Sequence, residues 1–233
     1  MRSGDEGREA AAGSAGGAGS GGAVALSALL REGTAEAHRQ AERAPFLGAL
    51  LRGALSREAY ARYLASLHPV YVALEGALEA HRAHPHLAPF ARAELYRTEA
   101  LAADLAHLAG PDWRTGVAVA RAGEAYAEHV AGLAAREPLL LVAHAYTRYL
   151  GDLSGGQLLR KPVARAYGLT GPEGLAFYAF PRVADVRGCA RDFRAALDAL
   201  DLPPPRAGAL LAEARHAFAL NGALFAELAP AGA

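Results

Sequence analysis

Residues 137–157 read EPLLLVAHAYTRYLGDLSGGQ, and a conflict inside this stretch governs how the whole chain is read. Leu, Ala, Arg and Tyr dominate it, and Glu137-Pro138 is a suitable helix opening because proline is tolerated in a first turn. The pattern predicts one helix from about Leu139 to Tyr167, ended by Gly168. Yet Gly151, Gly155 and Gly156 fall in its interior, where each is destabilising by roughly 1 kcal/mol relative to alanine. Gly151 and Gly155 are four apart and share a face. That face, bare of Cβ atoms, admits a close neighbour: a flat ligand, or a second helix packed as in other small-xxx-small contacts. The Gly155-Gly156 pair adds an expected kink, which packing alone does not require. Asp152 sits beside the bare face with Arg148 one turn earlier, either as a surface ion pair or as the anchor of a polar network.

Outward from this stretch the pattern stays helical. Ser27 is placed to cap a helix reaching about Arg43, which Pro45 ends. Ser56 caps a long helix to about His84, kinked at Pro69. Further helices are expected over about Pro89–Ala109, Thr115–Ala135, a short one from Pro172, Ala184–Leu200 and Pro205–Leu228. Isoleucine is absent and no strand-like alternation survives beyond a few residues. The fold class is therefore all-α, a multi-helix single domain over residues 25–233. Residues 1–24 hold eight of the 26 glycines and are expected to form a flexible Gly/Ala/Ser-rich tail.

Composition narrows the function classes. Lys plus Arg equals Asp plus Glu at 24 each, which argues against a nucleic-acid binder. The single cysteine, Cys189, excludes an internal disulfide and a CxxC zinc site and fits a cytoplasmic location. No run of 18 apolar residues occurs, so no membrane anchor is expected, and residues 1–25 lack the apolar core of a secretory signal.

The first helix carries a second unusual feature. Arg31, Thr34, His38 and Glu42 are spaced by three, four and four residues and so share one face. A neutral imidazole with a carboxylate one turn on is a competent iron ligand, and Arg31 lies two turns earlier, roughly 10 Å along the axis, within reach of an anionic group on the same ligand. The same pattern also describes a solvated helix face. A di-metal carboxylate bundle would require Glu-x-x-His pairs on facing helices, and Glu213-Ala-Arg-His216 is the one correctly spaced match noted.

Taken together, these features resemble the heme oxygenases, specifically the group shared by animals and many bacteria, here of the soluble, biliverdin-producing bacterial type. The resemblance runs from about Leu26 to Leu228. Its most specific element is residues 137–157, similar to the family's distal-helix signature. Residues 30–42, LREGTAEAHRQAE, are similar to its proximal-helix motif, with further matches at residues 71–75, 174–181 and 217–228. The resemblance implies heme lying between a proximal helix and a kinked distal helix, with His38 as the iron ligand and Glu42 beside it. Gly151 and Gly155 fall where the distal helix passes over the heme, and Asp152 matches the catalytic aspartate that positions water near the O2 site. Arg31, Tyr146 and Arg194 match propionate contacts, Phe218 a pocket aromatic, and Arg148 and Asn221 members of the distal polar network.

The implied activity is oxidative opening of heme by O2 to biliverdin, with the alpha isomer expected, together with CO and Fe2+. Heme is then both substrate and cofactor, an external ferredoxin or flavin reductase supplies electrons, and the chain is a monomer. There are departures from the pattern. Ala190 stands where a basic residue is expected, with Arg191 or Arg187 as substitutes. His68 stands where a distal-network tyrosine is expected, which implies a pH-sensitive water network. Cys189 is read as structural. A heme-binding or storage protein on the same fold is the alternative, and the presence of both His38 and Asp152 weighs against it.

Overall fold

The computed structural model describes residues 25–230, so the expected N-terminal tail lies outside the described residues. Helices α1 (Leu26–Gly33) and α2 (Ala35–Glu42) form the first segment, followed by α3 (Pro45–Leu51) and the long α4 (Arg57–Ala80). Two 3-10 turns lead to α5 (Thr98–Ala109), then α6 (Trp113–Gly116) and α7 (Arg121–Arg136). After α8 (Leu141–Ala145) the chain continues helically through the distal segment into α9 (Gln157–Tyr167). It closes with α10 (Val186–Asp198) and α11 (Pro204–Leu228). Among the described residues there is no strand.

Helix α4 is the central post, packed against both α5 and α7. Ser56 caps it as expected, its hydroxyl accepting from the Ala59 N–H at 3.1 Å, and Pro69 lies in its interior without ending it. Leu64, Leu67, Val70, Tyr71, Leu74 and Leu78 are completely buried, so this helix is apolar nearly all round.

Several expected boundaries move. Ser27 is not the cap of α1; it lies in the first turn, and its N–H and hydroxyl both donate to the Asp198 carboxylate of α10, at 2.8 and 3.0 Å. The orphan amide is satisfied across the fold rather than locally. The expected continuous helix to Arg43 is interrupted at Thr34, which is buried and turns its hydroxyl back onto the Leu30 carbonyl at 2.7 Å, a local competitor to the helix. Pro45 does not only end a helix but starts α3. The expected helix from Pro89 begins in earnest only at Thr98, where the buried Glu75 carboxylate of α4 accepts the Arg97 and Thr98 N–H groups.

Candidate active site

The distal segment resolves its glycines without leaving the helical region. Residues Tyr146–Leu150 and Asp152–Gly156 form two π-helical turns, and Gly151 between them has φ −62° and ψ −47°. Wide turns of this kind in a helix recur at functional sites. The strain expected as a kink is thus expressed as a widened hydrogen-bond pattern.

A Cβ built on Gly151 or on Gly155 meets no atom within 4 Å. The glycines therefore do not serve helix packing, one of the two possibilities open from spacing. They form part of one wall of a cavity of about 720 Å³, within the range of small-molecule sites.

The same cavity is lined by His38 and Glu42 of α2, Arg31 of α1, Tyr146 and Asp152 of the distal segment, Arg194 of α10 and Phe218 of α11. Gly151 and Gly155 complete the set, whereas His68, Arg187 and Arg191 do not line this space. On the proximal wall, Glu42 approaches His38 Nδ1 at 3.6 Å, which leaves Nε2 as the ring nitrogen free to meet a ligand. Phe218 packs edge-on against the imidazole, with ring centroids 5.9 Å apart. The His38 side chain is 55 % exposed in the open cavity. At the rim Arg31 lies 3.5 Å from neighbouring Glu32, and Arg194 donates to the Ala190 carbonyl of its own helix at 3.1 Å.

The distal wall holds a buried relay. Arg148 donates through Nη1 to Asn221 Oδ1 and through Nε to the Tyr71 hydroxyl at 3.0 Å. Tyr71 in turn donates to Asp152 Oδ2 at 2.5 Å. Asp152 Oδ1 keeps only a 3.8 Å approach to Arg148 Nη2 and no hydrogen bond among the described residues, so this oxygen is available to a molecule in the cavity. Burial raises the Asp152 carboxyl above its usual range, although Arg148 and the Tyr71 hydrogen bond pull the other way. Burial also holds the Tyr71 hydroxyl protonated, well above the usual phenol range. The group facing the cavity is thus a carboxyl suited to exchanging a proton.

Tyr71 is the distal-network tyrosine, and the assignment of that position to His68 is corrected. One turn of helix separates them, and His68 packs edge-on against Trp113 with centroids 5.0 Å apart and does not line the cavity. The substitutes named for the missing base at Ala190 are also corrected. Arg191 pairs with Asp185 at 3.4 Å, and neither it nor Arg187 lines the cavity. Two supporting residues gave no local signal. Asp104, buried in α5, accepts the Ala176 and Phe177 N–H groups at 2.8 Å each. It thereby fixes Phe177, whose ring meets Tyr71 edge-on at 5.8 Å. A buried carboxylate 72 residues before its first partner in sequence is legible only after folding.

The family model described as Heme oxygenase matches residues 24–227. The chain belongs to the heme oxygenase family. It is 42 % identical over 205 residues to heme oxygenase 1 of Pongo abelii, covering 87 % of this chain and 71 % of the relative. Among solved structures, heme oxygenase-1 of the cyanobacterium Synechocystis in complex with heme superposes with a TM-score of 0.84 at 39 % identity, covering 88 % of this chain and 92 % of that one. Heme oxygenase from Leptospira interrogans superposes with a TM-score of 0.83 at 37 % identity, covering 87 % and 99 %. The protein is a heme oxygenase with heme as substrate, and its residues fit that molecule: the glycine face accepts a flat ring, and an imidazole nitrogen faces the same cavity. No helix among the described residues is long and apolar enough to cross a membrane.

Proposed function

We propose that this heme oxygenase holds heme iron through His38 Nε2 and opens the ring to biliverdin, CO and Fe2+ with the Gly151–Gly156 segment as its distal wall. The observation that carries this reading is the pair of glycines whose absent side chains leave open space in the cavity that His38 also lines. Glu42 beside Nδ1 orients the imidazole and raises its donor strength. Bound heme supplies both the ring that is cleaved and the iron at which O2, the co-substrate, is activated.

The chain's own residues then divide the remaining work. Gly151 and Gly155 keep side chains off the distal face, so that a diatomic molecule is not crowded out. Asp152 Oδ1 holds a water molecule in the cavity and passes a proton to it, while Tyr71 and Arg148 keep the carboxyl in place. A positioned acid of this kind contributes about 10²- to 10⁴-fold. Arg31, Tyr146 and Arg194 bind the propionates, the arginines by charge-assisted hydrogen bonds, and so select the meso edge presented to oxygen, the alpha edge. Electrons come from an external ferredoxin or flavin reductase, and the unit is a monomer of the soluble bacterial type.

The test is one spectroscopic experiment. Hemin is added to the apoprotein, followed by ascorbate or a reductase system in air. The expected result is a Soret complex that decays to a biliverdin spectrum with release of CO, and an altered isomer mixture in R194E. A Soret band that persists indicates a heme carrier instead, and an H38A protein that forms the same Soret complex as wild type removes His38 as the ligand.

A further inference from the structure

Outside the heme cavity, three helices bring a second set of donor atoms together. His129 of α7 and His144 of α8 direct their Nε2 atoms to the same carboxylate oxygen, Oε1 of Glu213 on α11, at 2.6 and 2.8 Å. The donor atoms of the three residues all lie within 4.8 Å of one another. His216, one turn after Glu213, sets its ring 4.6 Å, centroid to centroid, from that of His129. None of the four residues lines the heme cavity.

Charge favours a cation here. Among the described residues the Glu213 carboxylate has no ion-pair contact with arginine or lysine; its partners are the two imidazoles. The Tyr126 hydroxyl lies 3.2 Å from His144 Nδ1 and fixes the ring, as an outer partner does for a ligating histidine.

We propose that His129, His144 and Glu213, with His216 as the fourth ligand, bind one divalent first-row transition ion of the zinc class. Metal–ligand bonds of about 2.0–2.2 Å in tetrahedral geometry separate neighbouring donors by roughly 3.3 Å. The two nitrogen–oxygen contacts must therefore open by about half an ångström or slightly more. His129 and Glu213 are partly exposed and can make that adjustment, while His144 is fully buried and serves as the fixed ligand. Four protein ligands close the coordination sphere, so the ion is structural. It ties α7 and α11 to a residue two positions before Tyr146, where the distal wall begins.

The probes are Zn2+ and Co2+, titrated into the full chain. The expected result is one ion per chain, a tetrahedral cobalt spectrum displaced by zinc, and a thermal midpoint raised by Zn2+. H129A and H216A are each expected to weaken binding roughly tenfold or more. Both positions are partly or largely exposed, so these variants fold where a His144 variant would fail. H38A is expected to bind as wild type does, which separates this site from the heme ligand. Absence of saturable 1:1 binding reduces the cluster to hydrogen bonding and overturns the proposal. Unchanged affinity in both H129A and H216A places the ion elsewhere and also overturns it.

Discussion

Replacing Gly151 separates the two explanations of the glycine-rich helix. Gly151 has ordinary helical dihedrals, and an added Cβ meets nothing within 4 Å. Alanine there removes the conformational freedom of glycine from the unfolded chain without creating a clash. The apoprotein should gain about 0.5–1 kcal/mol. For a domain of this size, a gain of that order raises the thermal midpoint by roughly 1–4 °C. The heme complex should respond in the opposite direction. A leucine at the same position projects into the space the ring needs, and overpacking of a formed site typically costs about 1–3 kcal/mol. That corresponds to roughly 5- to 150-fold weaker hemin binding. The assay is a pair of measurements on G151A and G151L, thermal unfolding of the apoprotein by circular dichroism and hemin titration by the Soret band. A destabilised apo G151A, or a G151L that binds hemin with wild-type affinity, would refute the argument that the glycines clear space for a ligand.

Further outcomes follow from the same geometry. D152N keeps the shape of the carboxyl but cannot release its proton, so hemin binding should persist while biliverdin formation falls about 100-fold or more; an unchanged turnover rate counts against Asp152 as the proton donor. Y71F removes a hydrogen bond that lowers the Asp152 carboxyl, so any limb of the pH–rate profile set by Asp152 should move to higher pH, whereas H68Y should leave the profile where it is because His68 faces Trp113; movement in H68Y alone would reverse the two assignments. Glu213 is held at about 2, below its ordinary value of 4.5, so it stabilises the fold above pH 4.5 and loses that contribution as pH falls towards 2. The full shift is reduced because the carboxylate keeps some solvent contact, leaving roughly 1–2 kcal/mol. E213Q should therefore be less stable than wild type near pH 6 in denaturant titrations, with the gap closing in acid, and a gap that widens in acid would contradict the sign.

Much of the site was legible because its chemistry is local. The Gly151/Gly155 spacing, the Arg148–Asp152 pair and the Arg31–His38–Glu42 face each sit within one or two helical turns, where periodicity determines which residues share a side. The misreadings have a common cause. His68 and Tyr71 are three residues apart on α4 and so occupy neighbouring positions on one side of it, and only the tertiary partners, Trp113 for one and Asp152 with Arg148 for the other, tell them apart. Arg191 and Arg187 looked available as substitute bases because they share a helix face with Arg194, but Arg191 pairs with Asp185 and neither lines the cavity. Ser27 looked like a cap because serine commonly is one, while the carboxylate that satisfies the helix start comes from Asp198.

The sequence by itself determined the all-helical class, the placement of the major helices, and the two segments that carry the heme-facing chemistry. Those properties depend on propensity and on spacing within a turn or two. The tertiary structure alone decided that the glycine face opens on a cavity rather than on a helix, and that Tyr71 links Arg148 to Asp152. It also decided that Asp104 supports Phe177 and that His129, His144 and Glu213 converge. Each of these depends on which side chains from distant parts of the chain meet. That is set by the packing of helices in three dimensions, and one-dimensional periodicity carries no information about it.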